Sequence, residues 1–286
     1  MKRRASVWVV ASLLLAAVWT ATAMTADEIL DEMENLFSVD AEDERGVLAG
    51  MTIHNEYTGG VTSEYTLAMF ELTVVDATQP GETDEVSHVI MYFLGGDEDG
   101  SIFLMETPQD ESADDRMWLY LPALGLTKEL VSDEDQSGSF AGSSISYGDL
   151  GGTREFQDDY DGTILREEQL EVDGEPNDVW VLELIASPGV DTDYSKVLLW
   201  VAKEDYLALR MEAYNELGSL DMTMDFRRLG WFEDERIPEV ILSQDFGEDT
   251  TTTITLSNTR RPDVPLTLDL FDPSRLSELD PAAYGF

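Results

Sequence analysis

Apolar positions along the chain follow two periods in succession. Over residues 25–37 they fall at Ile29, Leu30, Met33, Leu36 and Phe37, which is one face of an α-helix. Thr25 and Glu28, three apart, have the spacing of a capping box. Asp27 and Glu28 also place negative charge where the helix dipole favours it. Beyond the helix the period drops to two. Residues 47–57 and 62–75 alternate and are rich in Thr, Tyr and Val, with Gly59-Gly60 between them as a hairpin turn. Residues 76–85 read as a polar loop around Pro80-Gly81. Further strands are expected at 86–94, 101–106, 116–121, 162–173, 178–186, 196–202, 208–214, 221–229, 238–245 and 250–258, parted by turns such as Asp173-Gly174 and Gly218-Ser219.

One helix followed by many closely spaced strands predicts a mainly β protein, a single antiparallel sheet curled or closed into a barrel. No Pro/Ser-rich linker and no fixed-period repeat divides the chain, so residues 24–286 read as one domain. Three runs break the alternation: Met117-Trp118-Leu119-Tyr120-Leu121, Val179-Trp180-Val181-Leu182 and Val197-Leu198-Leu199-Trp200-Val201. Such runs imply strands covered on both faces. Their side chains either pack a core or line an apolar cavity within a curved sheet, and the pattern fits both. The candidates for a cavity lining are Trp118, Tyr120, Phe140, Tyr147, Trp180, Leu182, Leu199, Trp200 and Met211.

Composition changes this picture in two ways. The 286 residues hold 17 Lys+Arg against 60 Asp+Glu, a formal net charge of −43, while 43% are hydrophobic. The apolar fraction is enough for a core, which sets aside wholesale disorder. The charge repels phosphate backbones and anionic membrane surfaces, which disfavours nucleic-acid partners. Residues 1–23 read as a secretory signal. Lys2, Arg3 and Arg4 form a positive start, Ala5 to Trp19 is uncharged, and Ala21-Thr22-Ala23 offers a cleavage site. An uncleaved anchor is the alternative, but the apolar run is short for a span. Cleavage after Ala23 gives an exported, periplasmic chain starting at Met24 with a charge of −46. Acids spread over the whole chain, with few lysines, suit a folded body working in high salt, which screens self-repulsion.

Chemistry-bearing residues are sparse. Zero cysteines exclude disulfides, thiolate metal sites and a cysteine nucleophile. Gly142-Ser143-Ser144-Ile145-Ser146 lacks the last glycine of a nucleophile elbow. A triad would have to use His54 or His88, both in strand-like runs. With 60 acids, carboxylate pairs carry no signal. Asp97-Glu98-Asp99-Gly100 and Asp133-Glu134-Asp135 read as acidic turns rather than calcium loops. No catalytic residues, metal or cofactor are expected.

One block carries a family resemblance. Met117-Trp118-Leu119-Tyr120-Leu121-Pro122-Ala123-Leu124-Gly125 is followed by Ser137-Gly138-Ser139-Phe140-Ala141-Gly142-Ser143 and by Ile145-Ser146-Tyr147-Gly148-Asp149-Leu150. This resembles the signature of the LolA-like outer-membrane lipoprotein-sorting family. Thr25 to Leu30 is similar to its opening helix, Leu198 to Val201 with Tyr206 to Arg210 to a strand pair, and Phe271 to Leu276 to its closing segment. Lys128 alone stands where that family carries several basic residues. The chain is longer than the small sorting chaperone and is similar to a larger branch of the superfamily. Arg45 is the positional candidate for the chaperone's lid-contacting arginine. The resemblance implies an incomplete β-barrel of the LolA/LppX kind, a strongly curved antiparallel sheet with an N-terminal helix and lid. It also implies a carrier of lipoprotein acyl chains or related lipids, moving them toward the outer membrane without covalent chemistry. An inner-membrane exporter and an outer-membrane acceptor are its implied partners. Two other readings remain: an accessory subunit of an RND-type lipid or hydrophobe exporter, and a cell-envelope hydrolase.

Overall fold

The computed structural model describes residues 24–37, 46–76, 84–108, 115–136, 138–147, 159–190, 192 and 194–286. The expected signal segment 1–23, Arg45 and Gly148-Asp149-Leu150 lie outside the described residues. Helix α1 spans Ala26–Phe37. Its start is the expected capping box: the Thr25 hydroxyl accepts from the Glu28 N–H at 3.2 Å, and the Glu28 carboxylate accepts from the Thr25 N–H at 2.8 Å.

Thirteen strands follow: β1 Val47–Tyr57, β2 Val61–Asp76, β3 Asp84–Phe93, β4 Ile102–Pro108, β5 Arg116–Leu121, β6 Leu126–Glu129, β7 Tyr160–Val172, β8 Glu175–Ala186, β9 Lys196–Ala202, β10 Ala208–Tyr214, β11 Leu220–Phe232, β12 Glu235–Asp245 and β13 Thr250–Arg260. All pair antiparallel in one sheet of order β6-β5-β4-β3-β2-β1-β13-β12-β11-β10-β9-β8-β7. Every sequence neighbour is a spatial neighbour except β6 and β7, and the two ends of the meander meet where β1 pairs with β13. The sheet is therefore open, with β6 and β7 as free edges, and does not close into a barrel. Of these strands only β6 lacks a counterpart in the sequence pattern. Its four residues show no alternation, and it exists because Pro122–Gly125 turns it back onto β5.

Register assigns the faces. One row of cross-strand partners runs Ile164, Leu182, Leu199, Met211, Met224, Ser243, Thr252, Asn55, Ser63, from β7 to β2 without a break. Successive side chains alternate between faces, so a row so connected lies on one side of the sheet. On this first face α1 buries Ala26, Ile29, Leu30 and Met33 against Leu182, Leu184, Val197, Leu199, Val201 and Met211. Across the other half of the same face, Leu130, Phe140 and Ile145 from the connection after β6 cover Met51, Ile53, Leu67, Phe93, Phe103 and Met117. The second face is covered over β1–β5 by the C-terminal segment, whose Leu266, Phe271, Leu276 and Leu279 pack on Leu48, Phe70, Ile90, Leu104 and Trp118. Over β8–β10 it carries a smaller cluster around Val179, Val181, Trp200 and Leu209. The run Met117 to Tyr120 is apolar throughout because both faces of β5 are covered: Met117 packs under the connection and Trp118 under the C-terminal segment.

Candidate functional site: a strapped apolar face

Residues 138–147 form a short strap on the first face. The strap closes on itself, with Phe140 N–H donating to Ile145 O, Tyr147 N–H to Gly138 O, and the Ser139 hydroxyl to Ser143 O at 2.6 Å. Ser143 Oγ ties its own turn by accepting from the Ile145 N–H. The turn needs left-handed backbone at Ala141 (φ 52°) and Gly142 (φ 66°), and a Cβ at Gly142 would sit 2.7 Å from the Tyr57 hydroxyl. Phe140 then points into the sheet among Phe93, Phe103 and Tyr147, with ring centroids 5.6–5.8 Å away. Ser139, Phe140, Ala141, Gly142 and Ser143 thus each have a mechanical role in the strap.

The strap is held down by polar side chains in the middle of an apolar face. Asn55, Ser243 and Thr252 are 0% exposed. Asn55 donates both amide hydrogens, to Ala141 O at 3.0 Å and to Ser63 Oγ at 3.1 Å, and its oxygen accepts from Thr252 Oγ1 at 3.0 Å. Thr252 Oγ1 accepts from the Ser144 N–H at 2.9 Å, and Ser144 Oγ donates to Ser243 Oγ at 3.0 Å. The Tyr57 hydroxyl donates to Gly142 O at 2.8 Å. Buried polar groups without partners are costly, and these are all paired. Between the strap and α1 the same face carries Met224, Phe226, Ile241 and Leu256, each half-buried, with Met224 touching both apolar clusters.

The nine candidate lining residues divide between the faces. Trp180, Leu182, Leu199 and Met211 gather under α1, and Phe140 and Tyr147 belong to the strap cluster, all on the first face. Trp118 and Tyr120 pack on the second face with the C-terminal segment. Trp200 also lies there, between the guanidiniums of Arg166 (5.7 Å) and Arg210 (5.5 Å), with its indole N–H on Glu168. The polar row Asn55, Thr252 and Ser243 was not singled out from sequence. Its signal was present: Asn55 and Thr252 each stand two residues from an inward isoleucine, Ile53 and Ile254, and so share its face.

The two histidines sit elsewhere. His54 and His88 both project from the second face, away from the strap serines, since Ile53 and Val89 occupy the first. His54 lies 3.5 Å from Glu56 and Glu64. His88 is buried edge-on against Phe271, and burial pulls its pKa down to about 4. On the first face, burial pushes the Glu71 carboxyl up to about 7, opposed by Arg261 and reinforced by Glu235. A cleft of about 330 Å³ opens at Pro176, Asn177, Asp178, Ala202, Lys203, Glu204 and Arg236. Its cations are engaged, Lys203 by Glu167 and Arg236 by Asp205 and Asn177. The acidic stretch 97–100 is a turn in which Asp99 accepts from the Gly95 N–H. Among the described residues no three His, Asp or Glu side chains come together to hold a metal ion, and no helix is long and apolar enough to cross a membrane.

The fold of this chain is shared with solved structures of LolA-like proteins. A DUF1329 family protein from Desulfovibrio piger matches with 23% identity over 88% of this chain and 97% of its own, TM-score 0.72. A putative outer membrane lipoprotein-sorting protein domain from Vibrio parahaemolyticus matches with 24% identity over 88% and 98%, TM-score 0.71. A LolA superfamily protein from Nitrosomonas europaea matches with 20% identity over 87% and 98%, TM-score 0.59. No curated protein matches the chain. A family model described as "-like: Uncharacterized protein" matches residues 85–278, more than half of the chain, and the chain belongs to that LolA-like family.

Proposed function

We propose that this protein is an exported, periplasmic carrier that takes up the acyl chains of lipoproteins or related lipids and passes them toward the outer membrane. The observation that carries the reading is the first face. It is largely apolar from β7 to β5, crossed by the polar row of Asn55, Thr252 and Ser243, covered by two separate pieces, and left half-buried between them at Met224, Phe226, Ile241 and Leu256. Burial of an acyl chain yields roughly 0.8 kcal/mol per CH₂, so a carrier needs such a face and a cover that can move aside. Trp180, Leu182, Leu199 and Met211 under α1, with Phe140 and Tyr147, are the proposed lining. Native mass spectrometry and lipid extraction of the protein purified from a periplasm test this. Co-purifying acyl lipid is expected. A protein that carries none and does not shift in mass with an added acylated peptide refutes it.

A second reading rests on the free edge. Leu124 at 70% exposure and Leu126 at 52% stand out at the tip of the β5–β6 hairpin, as a docking element of an exporter's accessory subunit would. Affinity capture from solubilised membranes separates the two, since a free carrier is recovered alone.

A further inference from the structure

At one end of the first face, away from the strap, three hydroxyls stand side by side. Register sets Thr73 beside Ser87 and Ser87 beside Thr107 across β2, β3 and β4. They share the face with Leu67, Val89 and Met105, each an even number of residues away on the same strand. Thr73 is 3% exposed. Its hydroxyl and that of Thr107 are buried, and neither has a hydrogen-bond partner among the described residues. Buried hydroxyls without partners are costly, so two of them in one row mark a place built for an outside partner. Glu71 stands one row nearer the apolar floor, opposite Val89. Burial, reinforced by Glu235, raises its carboxyl to a pKa of about 7. Arg261, the cation that opposes this rise, is engaged by Glu233 through two hydrogen bonds at 2.9 and 3.3 Å, so it compensates the carboxyl only in part. Glu71, Ser87 and Val89 are half-buried, which leaves the place within reach of a ligand. A carboxylate flanked by hydroxyl oxygens matches a primary ammonium, which carries one positive charge and three N–H donors and accepts no hydrogen bond. We propose that this end of the face binds the primary ammonium of an aminolipid head, its N–H groups donating to the Glu71 carboxylate and to the hydroxyl oxygens of Thr73 and Ser87, with Thr107 next in the row. The apolar chain of that lipid then runs over Met69, Met91, Met105 and Met117, which register pairs as Met69 with Met91 and Met105 with Met117. This rests on the carrier reading and adds to it the class of head group. The sign agrees with the whole molecule, since a chain of charge −43 repels an anionic head and attracts a cationic centre.

Two lysolipids with the same lauroyl chain and the same phosphate separate the hydrogen bonds from the charge. Lysophosphatidylethanolamine carries the N–H donors; lysophosphatidylcholine keeps the positive charge and has methyl groups in their place. Calorimetric titration below the micellar concentration reads both. The unsubstituted protein is expected to bind the ethanolamine lipid more tightly by roughly tenfold or more, the worth of one hydrogen bond to a charged group. Thr73→Val removes an unpartnered hydroxyl at nearly constant shape, and Ser87→Ala removes a half-buried one, so two independent variants are available should one fail to fold. Each is expected to shrink the preference by roughly threefold or more while affinity for the choline lipid stays level. A fall in both affinities by one common factor would show a structural role alone and overturns the contact. Free ethanolamine tests the source. No displacement of the lipid by a hundredfold excess is expected, and displacement near equal concentration gives the site to a soluble amine and overturns the lipid head. Equal affinity of the unsubstituted protein for the two lysolipids overturns the ammonium site and leaves the carrier reading intact. Binding of neither lysolipid removes the carrier reading and this proposal with it.

Discussion

His88 gives the fold a measurable acid liability, and its replacement should remove it. The ring lies 6% exposed under Phe271, 5.6 Å centroid to centroid, and its Nδ1 has no hydrogen-bond partner among the described residues. Glu106, across the β3–β4 ladder, is engaged by Arg116 at 3.7 Å. Burial therefore lowers the folded pKa from 6.5 to about 4. Below pH 6.5 the unfolded chain binds a proton that the folded chain refuses until about pH 4. Stability is thus lost as pH falls across that window and is steady on either side of it. The full displacement is worth about 3 kcal/mol as an upper bound. His88→Leu keeps an apolar side chain against Phe271 and cannot titrate. Relative to the unsubstituted protein it should gain up to about 3 kcal/mol between pH 7.5 and pH 4. At pH 7.5 it should be level or better, since it also removes an unpaired buried nitrogen. Urea unfolding at fixed ionic strength, at several values between pH 4 and 8, reads the difference directly. Because the difference is taken at each pH, the titration of the 60 carboxylic acids cancels. A stability difference that does not vary with pH would refute the reasoning.

Glu71 carries the opposite sign. Its folded pKa is raised to about 7, so ionising it in the folded state costs stability as pH rises from 4.5 to 7. Glu71→Gln should therefore stabilise increasingly over that range, by at most about 3 kcal/mol because part of Glu71 still meets solvent; a constant offset in the same urea series argues against it. Phe271→Ala should cost about 3–5 kcal/mol in urea unfolding, since the ring is 1% exposed and anchors the C-terminal segment; a loss below 1 kcal/mol would mean the segment is not part of the folded core. Gly142→Ala should cost about 1–2 kcal/mol from its left-handed backbone, and more if Tyr57 cannot yield, with hydrogen exchange rising first over 138–147; unchanged protection there would contradict the strap geometry.

How much of this was legible beforehand follows from which residues interact locally. The helix was readable to the cap, because Thr25 and Glu28 are three apart and bond to each other. Strand positions were readable because alternation is local, and the unbroken run at Met117 to Leu121 correctly announced two covered faces. What a single strand cannot announce is which of its faces matches which face of a distant strand. Trp118 and Trp200 looked equivalent to Trp180 and Leu199, but register sends the first two to the second face and the others under α1. Register between β1 and β13, some 200 residues apart, is a property of the assembled sheet. The same long separation hid the polar row, since Asn55, Ser243 and Thr252 become one feature only when β1, β12 and β13 are side by side. The Gly138 to Tyr147 block was recognisable as a motif before its mechanics were, because its partners lie in those same strands.

The acidic surface and the apolar face make separable demands, and salt distinguishes them. A chain of charge −43 has a net self-repulsion that opposes compaction, and it is screened within about 8–10 Å at physiological ionic strength and more tightly at higher salt. The ion pairs that salt also weakens are mostly exposed, such as Arg116–Glu129, Arg166–Glu168 and Arg275–Glu278, and exposed pairs contribute little. Relief of repulsion should dominate, so the thermal midpoint should climb as sodium chloride is raised into the molar range. A flat or falling midpoint would count against a protein built for high salt. The strap face answers differently. Its polar row consists of an amide and hydroxyls, its walls are Met, Ile, Leu and Phe, and among the described residues the hydrogen bonds between strap and sheet join neutral groups. Affinity for a neutral acyl probe should then change far less with salt than the stability does, once the protein is fully folded at both ends of the titration. A steep loss of affinity in salt would place charged groups in the site and break the assignment of the ligand to this face.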